Sequence, residues 1–133
     1  MIDLFDNLQR LETLLEHSKY VTGEQFTLSD VKVFETLIRF DEVYHAYFKC
    51  NVRQIASYSN IMRYVGNCWK IDGVRQTTKM DHIKTHYWTS HPKLNYYAVI
   101  PRGPGFLAIN KTYNFRWLNK GFWGFGGIGR AHV

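Results

Sequence analysis

Residues 26–51 read Phe26-Thr27-Leu28-Ser29-Asp30-Val31-Lys32-Val33-Phe34-Glu35-Thr36-Leu37-Ile38-Arg39-Phe40-Asp41-Glu42-Val43-Tyr44-His45-Ala46-Tyr47-Phe48-Lys49-Cys50-Asn51. The stretch opens with a helix-start signal. Thr27 suits the N-cap, its hydroxyl placed to accept from the backbone N–H three residues on, and Asp30 at that third position can reach back to the Thr27 N–H. Asp30 also places negative charge at the positive end of the helix dipole. Phe26 before the cap and Val31 after the box are spaced for a hydrophobic staple. Val31, Phe34, Leu37 and Ile38 then follow helical spacing, leaving Lys32, Glu35 and Arg39 for the wet side. By itself this pattern describes a well-capped core helix running from about Leu28 to Phe40, or on through Tyr47.

Working outward, Leu4, Leu8, Leu11 and Leu15 recur at intervals of four, three and four, which puts them on one face of a first helix over residues 2–17. Asp3 and Asp6 load its first turn, and His17 and Lys19 stand at its last. Tyr20-Val21-Thr22-Gly23 ends it, with Gly23 suited to a positive-φ turn. A third helix begins near Ser59-Asn60, and its Ile61, Tyr64, Val65 and Cys68 share a face. Gly73 breaks it. A fourth helix is expected from Thr77 or Thr78 to Trp88, with Met80, Ile83 and Tyr87 on one side and His91-Pro92 as the stop. The sequence therefore predicts an all-α fold.

Charge is unevenly spread over the 133 residues. Residues 1–49 carry a net −4, residues 50–104 a net +6 and residues 105–133 a net +4. A basic C-terminal half could attract anions, nucleic acid or an acidic neighbour. The two cysteines, Cys50 and Cys68, form neither a CxxC nor a disulfide framework. Without a signal peptide or a long apolar run, a cytoplasmic protein with reduced thiols is the expectation and no membrane partner is implied. Six of the ten glycines and seven aromatics fall in residues 105–133, where no helical or strand period survives. An irregular Gly/aromatic-rich tail of no recognised family is expected there, following a helical domain over residues 1–104.

Several motifs, in order, resemble one family. The Leu-rich helix, Tyr-x-x-Gly and Phe-Thr-x-x-Asp are similar to the C-terminal helical domain of glutathione transferases. Leu37-Ile38-Arg39-Phe40-Asp41-x-Val43-Tyr44-His45-x-x-Phe48-Lys49-Cys50-Asn51 resembles the glutathionyl-hydroquinone reductases, the Xi-class branch. So do Asp81-His82-Ile83-Lys84-x-His86-Tyr87, Ser90-His91-Pro92-x-x-Asn95 and Ile100-Pro101-x-Gly103-Pro104. The resemblance spans roughly residues 1–104 and implies a glutathione transferase C-terminal-like helical bundle.

It also implies chemistry. In that family a thioredoxin-like domain binds glutathione, the co-substrate, and carries a catalytic cysteine whose thiolate attacks the sulfur of a glutathionyl-hydroquinone. The hydroquinone leaves, a mixed disulfide forms, and a second glutathione frees the enzyme. The helical domain supplies the aromatic-substrate pocket, where tyrosine hydroxyls meet the quinone oxygens. Carried over by motif, Tyr44 and Tyr87 are the expected substrate contacts. Trp88 stands where a further tyrosine commonly follows, so an indole N–H replaces a phenol. Ser59 and Tyr96 stand where the family often has proline.

No Cys-Pro motif or βαβ region is present, and Cys50 matches a cysteine of the helical domain. No catalytic residue is therefore expected in this chain, which reads as incomplete at its N-terminus and inactive alone.

Other readings are weaker. His82 and His86 are spaced i, i+4 with His91 beyond, but no Glu follows His82 and no further ligand is evident, so no metal is expected. Tyr47 and His45 could line the same cleft as Tyr44 or face solvent. A non-catalytic helical domain docking on another transferase subunit is the second reading, the family being dimeric. Binding of single-stranded nucleic acid through Lys111, Arg116, Lys120 and Arg130 among aromatics is the third, although no recognised RNA-binding motif is present.

Overall fold

Asp30 organises the first half of the chain. In the computed structural model, which describes residues 2–103, its side chain has no exposed surface. Its Oδ2 accepts from the Thr27 backbone N–H at 2.8 Å and from the Thr27 hydroxyl at 2.9 Å. Its Oδ1 accepts from the Val21 N–H at 2.8 Å. The carboxylate is thus the centre of the expected capping box and also fastens the preceding loop. Burial works against its charge, but these hydrogen bonds outweigh it and hold the pKa below the ordinary value.

From that cap, helix α2 runs Leu28–Arg39. It is preceded by α1, Ile2–Glu16, and followed without a break by a π-helical segment, Phe40–Tyr44, and a short α3, His45–Tyr47. A 3-10 turn, Ile55–Ser57, leads into α4, Ser59–Trp69; α5, Val74–Thr77, and α6, Met80–Thr89, complete the order. The described residues form no strand, and Tyr20 and Gly23 make only an isolated bridge across their turn. Gly23 and Gly73 take φ of 120° and 84°, the left-handed region a Cβ disfavours. No helix among the described residues is long and apolar enough to cross a membrane. The stretch 105–133, expected to be an irregular tail, lies outside the described residues.

Helix α4 is central: α1 packs along it and α2 crosses it. Its expected face is fully inside, with Ile61, Tyr64 and Cys68 at 0% exposure and Val65 at 5%. Leu8 and Leu15 of α1 and Phe34, Leu37 and Ile38 of α2 close around it. The Tyr64 hydroxyl donates to the Asp30 carbonyl oxygen at 3.1 Å, tying α4 to the cap of α2.

Three local expectations are corrected. The staple does not form as read: Val31 is exposed, while Phe26 packs edge-on against Tyr20 with ring centres 5.6 Å apart. Leu4, at the start of the α1 stripe, is 37% exposed. α1 stops at Glu16, so His17 and Lys19 lie beyond its last turn; instead the Arg63 guanidinium of α4 donates to the Leu15 carbonyl. Finally, the fourth helix, read from Thr77 or Thr78, begins only at Met80, and Thr77 instead closes the separate α5.

The start of α4 has no local side-chain cap. Glu12, on α1, supplies one: Oε1 accepts from the Asn60 N–H at 2.9 Å and Oε2 from the Ile61 N–H at 2.8 Å. A carboxylate at a helix N-terminus satisfies orphan donors and meets the positive end of the dipole. Glu12→Ala is expected to destabilise the chain by ~1–2 kcal/mol, the scale of a lost cap. Asp30→Ala, which strands buried donors, is expected to cost more, about 2–4 kcal/mol. Urea denaturation of the two variants checks both. An Ala at position 12 within about 0.5 kcal/mol of the parent, the range of ordinary surface changes, removes the remote cap.

Candidate aromatic substrate site

The π-helical segment decides what faces inward near residue 44. The His45 N–H donates to the Phe40 carbonyl, five residues back. That wider turn buries four consecutive residues, Phe40, Asp41, Glu42 and Val43, none more than 3% exposed. Such single-turn insertions recur at functional sites.

The two buried carboxylates have separate partners. Asp41 accepts from the Ile55 N–H at 2.7 Å and the Ala56 N–H at 3.0 Å, capping the 3-10 turn. Burial pushes its carboxyl up from the ordinary value, against the pull of those hydrogen bonds. Glu42 lies 3.2 Å from the Lys84 ammonium of α6. Lys84 also donates to the Arg102 carbonyl at 2.9 Å.

Tyr44 of the π segment lies against Tyr87 of α6. Their hydroxyls are 3.3 Å apart, with ring centres at 5.8 Å and planes at 78°. Burial, then the hydrogen bond with Tyr87, pushes the Tyr44 phenol up to about 12, so it remains a donor throughout the physiological range. Phe48 leans on both rings, 5.7 Å from Tyr44 and 6.0 Å from Tyr87, and is itself 41% exposed. Beyond α3 the chain turns through Lys49, a non-glycine residue at φ 60°. The Tyr44 carbonyl there accepts from both the Phe48 and Cys50 N–H groups.

Trp88 sits on the other side of the same cluster. Its ring packs on Tyr47 at 4.6 Å, and its indole N–H is buried without a hydrogen-bond partner among the described residues. Tyr47 is buried, donates weakly to the His91 carbonyl at 3.5 Å and also touches the His91 ring. The Asn95 amide closes the end of α6 by donating to the Trp88 carbonyl at 2.7 Å and the Val99 carbonyl at 2.9 Å.

Thr27 and Asp30 lie at the far end of α2, about 18 Å of helix from the π segment. His82 pairs with Asp81 on the surface, and His86 faces Ser90. Among the described residues no group of three or more His, Cys, Asp or Glu is placed to hold a metal ion. Cys68 is buried beside Tyr64, and burial pushes its thiol up to about 12, so it is protonated at neutral pH and is not a nucleophile. Cys50 is half-buried, its Sγ donating to the Phe48 carbonyl oxygen.

Reasoning from sequence picked out Tyr44, Tyr87 and Trp88 but not Phe48, Glu42 or Lys84 as parts of the same neighbourhood. Phe48 and Lys84 lay within the family-like motifs. Glu42 fell at an unspecified position of those motifs.

Two phenols from different elements thus meet beside a partly exposed Phe48. The chain belongs to the glutathione S-transferase superfamily: residues 1–67 match the family described as glutathione S-transferase, C-terminal domain. It is 43% identical over 101 residues to the glutathionyl-hydroquinone reductase PcpF of Sphingobium chlorophenolicum, covering 76% of this chain and 32% of that protein. The crystal structure of glutathione transferase Xi 1 from Trametes versicolor superposes with a TM-score of 0.74 at 41% identity, over 77% of this chain and 36% of that one. The glutathione-bound structure of YqjG, a glutathione transferase homolog from Escherichia coli K-12, gives 0.73 at 38%, over 76% of this chain and 33% of that one. The chain thus spans about a third of the length of the curated relatives it matches.

The raised thiol and phenol pKa values carry a stability consequence. Where a folded acid holds its proton above the pH at which the unfolded chain loses it, stability is full below the unfolded pKa and falls as pH rises toward the folded one. For Cys68 that window runs from 9.0 to about 12, and for Tyr44 from 10.0 to about 12. The melting temperature is therefore expected to fall progressively above pH 9. Cys68→Ala should flatten the early part of the fall and Tyr44→Phe the part above pH 10. Parallel profiles for parent and variants would show that neither group carries the effect.

Proposed function

We propose that this domain is the aromatic-substrate half of a glutathionyl-hydroquinone reductase, with Tyr44 and Tyr87 donating to the oxygens of a hydroquinone. The observation that carries this reading is the meeting of the two phenols. They come from different elements, 43 residues apart in sequence, and their hydroxyls lie 3.3 Å from one another. Phe48, Tyr47 and Trp88 supply apolar wall for a flat ring.

The chemistry follows from that placement. A thiolate on a partnering thioredoxin-like domain attacks the sulfur of the glutathionyl-hydroquinone in its keto form. The carbon–sulfur bond breaks and its electron pair passes through the ring to the carbonyl oxygen, which becomes a phenolate and takes up a proton. The two phenols lie where that oxygen charge develops, and fixed donors there lower the barrier. A second glutathione resolves the mixed disulfide. Glutathione itself belongs to the thiol-bearing domain, and none of the residues described here is assigned to it. Such thiol chemistry needs a reducing compartment, and the cytoplasm is the location this reading implies.

Exposed Leu94, Tyr96, Tyr97, Val99 and Ile100 favour a second reading, a non-catalytic domain that docks on another transferase subunit.

Titrating the 133-residue chain with a simple naphthohydroquinone, followed by the tyrosine signals in NMR, separates the two. The first reading expects binding that weakens about three- to tenfold in Tyr44→Phe and in Tyr87→Phe, the scale of one hydrogen bond. It also expects no turnover of a glutathionyl-hydroquinone by this chain with excess glutathione alone. Absence of binding, or binding unchanged in both variants, overturns it.

A further inference from the structure

We propose that the buried Glu42–Lys84 ion pair positions the phenol pair, fixing the π segment against α6 and so setting the separation of the Tyr44 and Tyr87 hydroxyls. The proposal rests on the reading of the site given above. Glu42 lies two residues before Tyr44 within the same π turn, and Lys84 lies three residues before Tyr87 on α6. Residues three apart on a helix are surface neighbours, so a shift at Lys84 carries Tyr87 with it.

The pair is well enclosed, with the Lys84 side chain 10% exposed and that of Glu42 1%. The same ammonium reaches the Arg102 carbonyl, so one charge joins the π segment, α6 and the chain that follows α6. A buried ion pair is a poor source of net stability compared with packed apolar side chains, because both charges are desolvated. What it does supply is a penalty for misplacement, since separating the charges removes an opposite charge from each within a low-dielectric interior. An apolar pair at these positions could slide. This one holds a single register.

The phenols are sensitive to that register. At 3.3 Å their hydroxyls stand beyond the usual O–H···O range. A ligand oxygen can be shared between them, and a small further displacement separates them.

The test uses the full chain with labelled tyrosines. In the parent, the Tyr44–Tyr87 rings should give an inter-ring NOE, and the Tyr20–Tyr64 rings, 6.5 Å apart in the core, serve as an internal control. Lys84→Met and Glu42→Gln are expected to lose the Tyr44–Tyr87 signal while keeping the control, and Lys84→Arg to retain both. Lys84→Met should also raise the naphthohydroquinone Kd about as much as Tyr44→Phe, about three- to tenfold, with no further rise when the two are combined. A folded Lys84→Met or Glu42→Gln chain that keeps the Tyr44–Tyr87 signal overturns the proposal. Should Lys84→Met fail to fold, the near-isosteric Glu42→Gln decides. A parent chain that shows the ring contact but binds no naphthohydroquinone sinks the substrate reading, while the NMR comparison still judges the positioning role.

Discussion

The Asp30 carboxylate, wholly enclosed, accepts hydrogen bonds from Val21 of the α1–α2 loop and from both the N–H and the hydroxyl of Thr27, the N-cap of α2, while its own carbonyl receives Tyr64 from α4. A charge in that position is tolerable only when every donor is in place. Its geometry therefore fixes the loop, the starting phase of α2 and the approach of α4 together. Phase matters because each residue advances an α-helix by about 100°. The angle at which α2 starts determines that Phe34, Leu37 and Ile38 meet α4, and that Phe40 enters the π turn facing the core. The direction in which Tyr44 points is set 14 residues earlier.

Two other carboxylates work the same way at longer range. Glu12 begins α4 from 48 residues upstream, and Asp41 begins the 3-10 turn from 14 residues upstream. Neither target segment carries a side-chain cap of its own. Helix starts are thereby made conditional on tertiary contact, so α4 gains its first turn only as α1 arrives. Isolated short helices are marginal in water, and coupling their starts to packing makes the fold form as a unit.

This arrangement explains which parts of the molecule were legible in the sequence. Periodicity exposed the buried stripe of α4, and the Thr27–Asp30 box marked the start of α2, because both signals are local. The phenols and Trp88 came from motif likeness, which preserves positions but says nothing of contacts. The π segment was not legible. Phe40-Asp41-Glu42-Val43 holds two acids in the middle of an apolar pair, and no period of 3.6 buries all four. Their partners lie at Ile55 and Lys84, too distant for any window along the chain. Val31 misled for the opposite reason: a good staple spacing lost to Tyr20, whose ring offered Phe26 a better neighbour.

The π turn also bears on how this domain can diverge. From the Asp30 cap through Tyr47 the chain has no loop in which to absorb a gain or loss of residues, and the turn at Phe40–Tyr44 already holds one residue more than an α-helix would. Removing that residue restores a regular helix and swings everything beyond it by about 100°, carrying the phenol away from α6. Length variation is therefore shut out of this stretch. Under the proposed function, new ring sizes and substituents would be met by exchanging side chains such as Phe48 and Trp88 on a backbone of constant length.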